Sequence, residues 1–172
     1  MIRAISPPRP GKQRPSGTTM VEVAFSLLIF LGFMFLLIDV CFGMFAKVTL
    51  QHAVRSGVRY GVTSRTSTSG GSPLGHIASI KQVVQKESMG LLSDSDMGSY
   101  VTVTFYSVSS DPPAPVTGTG ANAAGNLLMV SVNAWPLNPM MPLLRSSTPV
   151  NISVSSGDLI ESIGGGTAPP PL

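Results

Sequence analysis

Residues 23–46 read VAFSLLIFLGFMFLLIDVCFGMFA, and residues 47–62 continue as KVTLQHAVRSGVRYGV. The first stretch holds 24 positions and one charge, Asp39. As a helix rising about 1.5 Å per residue it is roughly 36 Å long, enough to cross a hydrocarbon core of about 30 Å with some tilt. The second stretch is more polar but keeps a helical period. Leu50, Ala53, Val54, Gly57, Val58, Gly61 and Val62 recur every three or four residues, while His52, Arg55 and Arg59 fall on another face. The reading is one long helix from about Thr19 to Val62, half in lipid and half out.

Charge sets the expected direction of that span. Of 172 residues 43% are hydrophobic and 11% charged, against about 25% charged in ordinary soluble domains. Arg3, Arg9, Lys12 and Arg14 give residues 1–17 a charge of +4, which leaves −1 of the formal +3 for residues 18–172. The basic balance therefore belongs to a short peptide and not to a nucleic-acid-binding face. Basic residues before a span hold that side in the cytoplasm, and Lys47 is a single charge competing from the other end. Asp39, near the far end of the span, either snorkels to water or pairs with another subunit. Cys41 is the one cysteine, so it reads as a small apolar filler, with an intermolecular bridge or a lipidated thiol as alternatives.

Beyond the helix the chain is rich in Ser, Thr, Gly and Pro. Ser64–Ser72 reads as a loop. Ser72-Pro73 reads as an N-cap and first helical position of a second, amphipathic helix that carries Ile77, Ile80 and Val84, runs to about Ser88 and ends at Gly90. Alternation predicts strands over Tyr100–Val108, Leu127–Ala134 and Val150–Val154. The Asp111–Asn126 connection, rich in Pro, Gly and Ala, is expected to be mobile, and Pro136, Pro139 and Pro142 mark a second irregular connection. These elements imply an α+β fold, a long helix packed on a small antiparallel sheet with a second short helix. The domain organisation is a basic leader over 1–17, a transmembrane helix over 18–46, an extracytoplasmic domain over 47–163 and a disordered tail over 164–172.

The chemistry concentrates where the leader meets the span, in Ser16-Gly17-Thr18-Thr19-Met20-Val21-Glu22-Val23. Gly17 offers no Cβ to obstruct a protease and little helix propensity to resist unwinding. Glu22 gains from the helix macrodipole but sits at the rim of an apolar span, where carboxylates usually find a partner. It either caps the helix and snorkels to water, or meets an amine.

This junction resembles the type IV prepilin processing site: glycine, four residues, glutamate, then about twenty apolar residues. In that family a membrane-embedded peptidase cuts after the glycine on the cytoplasmic side. The resemblance implies a cut between Gly17 and Thr18, and a Glu22 that meets a neighbouring subunit's N-terminal amine during assembly. Further on, Gln51, Ala53, Arg55, Gly57, Arg59 and Tyr60 resemble the post-membrane pattern of TadE-like proteins of tight-adherence (Tad/Flp) pili, with Val58 in place of the usual alanine. Trp135-Pro136-Leu137-Asn138-Pro139 resembles that family's later aromatic segment. Val23 stands where Tad-system pilins usually carry an aromatic.

The resemblance implies a pilin-like fold and a minor pilin or pseudopilin subunit in a bacterial inner membrane. Its partners would be other pilin-like subunits, the Tad-type assembly machinery, a prepilin peptidase and the lipid bilayer. A plain membrane-anchored envelope binding module, with residues 1–17 retained, is the alternative.

Ala53, Gly57 and Gly61, four apart, form a flat strip that permits close backbone approach, within the domain or across a subunit interface. Arg55 and Arg59 read as a solvated face, or as a site for anionic lipid or acidic neighbours. No enzyme, cofactor, metal or nucleic acid is expected. His52 and His76 lie on separate segments outside any metal-ligand pattern, and Asp94 and Asp96 flank Ser95 in what reads as a solvated turn with too few ligands for Ca²⁺.

Overall fold

The computed structural model describes residues 17–139, 149–162 and 170–172. One helix, α1, runs unbroken over Gly17–Val62, 46 residues. Its apolar half and its amphipathic half are one continuous element, because nothing between Val23 and Val62 breaks the helical ladder: there is no proline, and the glycines stand singly. The chain leaves α1 through Ser64, which takes the left-handed region at φ 52° and donates its N–H to the Gly61 carbonyl at 3.0 Å. That is an ordinary way to close a last turn.

Two short strands follow, β1 (Thr68–Ser69) and β2 (Ser72–Pro73), paired antiparallel. Gly70 and Gly71, at φ 60° and 86°, make the two-residue turn between them. Ser72 and Pro73 therefore belong to this hairpin and do not open the second helix. That helix, α2 (His76–Glu87), starts at an N-cap Gly75 whose carbonyl receives both the N–H and the hydroxyl of Ser79. A short helix α3 (Asp94–Ser99) comes next. Asp94 and Asp96 are structural here: Asp96 accepts the Ser93 N–H at 2.9 Å, and Asp94 accepts from Gln85 at 2.7 Å.

The main sheet has strand order β4-β3-β5-β6, formed by β3 (Val101–Ser107), β4 (Ala114–Val116), β5 (Leu127–Leu137) and β6 (Val150–Leu159), all antiparallel. One face of the sheet packs under α1 and α2. Leu128, Val130 and Val132 from β5, Val101 and Phe105 from β3, and Ile152 and Val154 from β6 close on Leu50, Ala53, Val54, Val58, Ile80 and Val84.

The long connection before β5 carries β4 and buries Ala121 and Asn122, so it is part of the fold. Asn126 fastens it by donating to the Ala121 carbonyl at 2.8 Å. The leader through Ser16, residues 140–148 with Pro142, and residues 163–169 of the tail lie outside the described residues. The last three residues are described: the Pro170 and Pro171 carbonyls accept from Asn122 and from the His76 N–H.

β5 is longer than its alternation suggests, because a bulge interrupts it. Val132 pairs with Val154, but the next pair is Trp135 with Ile152, so Asn133 and Ala134 oppose the single residue Ser153. Ala134 adopts φ 52° and its N–H bonds the Ser153 hydroxyl at 3.0 Å. The extra residue shifts the phase of the strand. Leu128, Val130 and Val132 face the helices before it, and Trp135 and Leu137 pack against the same core after it.

Candidate functional site

At its N-terminal end α1 presents Gly17, Thr18 and Glu22 in the first two turns of an exposed helix. The Gly17–Thr18 bond lies in the first turn, where backbone N–H groups have no intrahelical acceptor and the helix opens most easily. A Cβ placed on Gly17 would meet nothing within 4 Å, and its φ is not in the left-handed region. Within the described fold, then, neither packing nor backbone conformation asks for glycine at this position. Glu22 follows Thr18 by four residues, one helical turn, so the two share a face.

From Met20 to Phe45 no residue of the helix is buried, and its own domain first touches it near Gly43, where Leu137 approaches. Phe25, Phe33 and Phe45 are 67%, 62% and 49% exposed, and no residue in its most apolar window is buried. It is long and apolar enough to cross a membrane. Cys41 is exposed on this stretch.

The second half of α1 is the reverse. Ala46, Leu50, Ala53, Val54, Gly57, Val58, Gly61 and Val62 are buried. The small-residue strip serves the domain's own packing: a Cβ on Gly57 would lie 2.5 Å from Val84 Cγ2, and one on Gly61 would lie 2.5 Å from Leu128 Cδ2 and 2.7 Å from Ile80 Cδ1. α2 and β5 thus approach the helix backbone at these two positions.

Arg55 and Arg59 are exposed. They line a groove between α1 and β6 opposite Asp158 and Glu161. His52, on the same exposed side, lies 3.9 Å from Glu87, a surface pair of small energetic value.

His76 is the functional-type residue whose place the sequence did not disclose. It is fully enclosed and stacks on Phe105 with ring centroids 6.1 Å apart. Its Nε2 lies 3.0 Å from the Gly61 carbonyl and its Nδ1 lies 3.2 Å from Asn122 Nδ2. Asn122 Nδ2 also donates to the Pro170 carbonyl at 2.6 Å, which accepts only, so the amide nitrogen must lie on this side. Nδ1 therefore accepts and Nε2 carries the proton. Burial pushes the imidazole below its ordinary value of 6.5, and the bond to Gly61 partly offsets this. The ring ties the end of α1 to the connection before β5. Among the described residues no group of three or more His, Cys, Asp or Glu is placed to hold a metal ion.

The family model described as TadE-like protein matches residues 17–59. Over these residues the chain is similar to TadE-like proteins. The matched stretch opens at Gly17, takes in the uncovered apolar helix and ends at Arg59, three residues before α1 itself ends. It connects the chain with Tad pilus assembly in general. No curated protein and no solved structure matches the chain.

Proposed function

We propose that this chain is a minor pilin-like subunit of a Tad/Flp-type pilus, processed after Gly17 by a prepilin-type peptidase and held in the inner membrane before assembly. The observation that carries the reading is the TadE-like helix itself: a junction of Gly17, four residues and Glu22 opens a 46-residue helix that is lipid-ready for half its length and domain-packed for the rest. The glycine without a packing role supports it, since a residue the fold does not require is available for recognition by a protease.

In this reading the basic leader stays in the cytoplasm, the domain lies outside, and other pilin-like subunits, the Tad machinery and the peptidase are the partners. The chain performs no catalysis of its own. Cutting at Gly17–Thr18 creates an amine one turn from Glu22 and removes the +4 leader. Each leader charge would otherwise resist extraction by about 2.5–3.5 kcal/mol at the centre of a bilayer.

The two residues should fail differently. Gly17→Val places a branched side chain beside the scissile bond, so the subunit should insert, keep residues 1–17 and leave cells without pili. Glu22→Ala keeps the glycine, so a processed subunit should accumulate in the membrane, also without pili. Immunoblot size and pilus counts read both outcomes. Normal pili from both variants would leave the uncleaved, membrane-anchored binding module as the better account.

A further inference from the structure

β5 runs beside α1 in the opposite direction, and the two keep step. Gly61 meets Leu128 and Gly43 meets Leu137, whose Cδ2 would lie 3.2 Å from a Cβ on Gly43. From Gly43 to Gly61 is about 27 Å along a helix at ~1.5 Å per residue. From Leu128 to Leu137 is about 30 Å along a strand at ~3.3 Å per residue. Nine strand residues therefore span eighteen helix residues, and heights on the strand can be read against the helix.

Those heights fall at the edge of the apolar run. Ala46 is the last residue of that run, and Lys47 is the first charge beyond it. Leu137, opposite Gly43, is level with a point about 4–5 Å inside the run. Trp135, two strand residues higher, is level with Lys47. The bulge at Asn133–Ala134 turns both side chains toward the edge of the core, where each is only partly buried. Beside them, Val40, Phe42, Leu137, Pro139 and Val150, together with Asp39 and Asn138, line a mostly apolar cavity of about 210 Å³. Phe42 and Val150 are 47% and 56% exposed, so this surface is continuous with the uncovered helix.

We propose that the membrane-proximal end of the sheet, from Trp135 to Pro139 with Val150, is seated in the interfacial layer of the bilayer leaflet on the domain's side. The domain is then held flush on the membrane, with no stalk between them. Leu137 and the cavity meet upper acyl chain, and Trp135 lies at headgroup depth, where an amphipathic ring beside a lysine is favoured. This rests on α1 spanning the membrane. It adds that the domain docks against the lipid surface while it awaits assembly, and that leaving the membrane must uncover this patch.

Trp135 is the chain's single tryptophan, so the unmodified protein reports its own depth. The full chain is reconstituted in phosphatidylcholine vesicles carrying bromine either near the headgroup end or near the methyl end of the acyl chains. Vesicle flotation and resistance to carbonate extraction check the span separately. The expected result is a blue-shifted emission, a larger loss of intensity with the headgroup-proximal bromines, and little loss with aqueous iodide. A chain that floats and resists carbonate but is quenched by iodide and not by bromolipid would overturn the proposal while leaving the span intact. Shielding from both quenchers would also overturn it, by showing protein in place of lipid over the ring. A chain that fails to float would remove the span and this inference together.

Discussion

The imidazole of His76 caps the last turn of α1, its Nε2–H donating to the Gly61 carbonyl oxygen at 3.0 Å. The partner on the other side of the ring, Asn122, can only donate toward it, so the arrangement suits the neutral imidazole. The groups bonded to or stacked on the ring are the Gly61 carbonyl, the Asn122 amide and the Phe105 ring. Among the described residues these supply no titrating partner that would favour the charged form.

Acid should therefore loosen the domain. Because burial lowers the folded-state pKa of His76, the unfolded chain binds the proton more tightly. Stability is full above about 6.5 and falls as pH drops from there toward the folded-state value. Unfolding of the detergent-solubilised chain should show a midpoint that falls as the pH is lowered below about 6.5. His76→Phe should flatten that slope while costing about 1–3 kcal/mol at neutral pH, because the Asn122 donor is left unmet. An unchanged slope in the variant would assign the acid sensitivity to other groups.

Gly57 should be intolerant of any sizeable side chain. Its missing Cβ is the space that Val84 occupies at 2.5 Å, and overpacking of this kind costs about 1–3 kcal/mol or more. Gly57→Leu should lower the unfolding midpoint and reduce the amount of chain in membranes. Gly98→Ala, where nothing lies within 4 Å, is the control and should be near neutral. Equal stability of both variants would mean that α2 does not pack as closely as described.

Four basic residues ahead of the proposed span against one closely behind it predict a domain outside the cytoplasm. An alkaline phosphatase fusion after Ser162 should be active, and a cytoplasm-dependent reporter at the same point should be silent. The reverse pattern would place the domain in the cytoplasm.

How far the fold was legible depended on how local each signal was. The long helix could be read because length, apolarity and period agree from Val23 to Val62. The strip of Ala53, Gly57 and Gly61 announced a close approach, but its partners, Val84, Ile80 and Leu128, come from distant segments that only the fold brings together. The end of β5 was misjudged at Ala134 because a bulge breaks the alternation there, and the phase resumes at Trp135. The start of α2 was misjudged because Ser72-Pro73 is good cap chemistry that the Gly70-Gly71 turn draws into a hairpin. Asn122 gave no local sign. Its burial depends on His76 and Pro170, 46 and 48 residues away. At the junction, Gly17 and Glu22 could be singled out because the pattern of the proposed processing site is linear and needs no tertiary contact to be seen.

The most direct test of the account is the N-terminus of the native subunit recovered from the membranes of piliated cells. The whole chain has a mass of 17.9 kDa over 172 residues, so loss of residues 1–17 removes about 1.8 kDa. Intact-mass measurement with N-terminal sequencing should find a chain that begins at Thr18 and is lighter by that amount. A subunit that still begins with the leader in cells bearing normal pili would contradict the account.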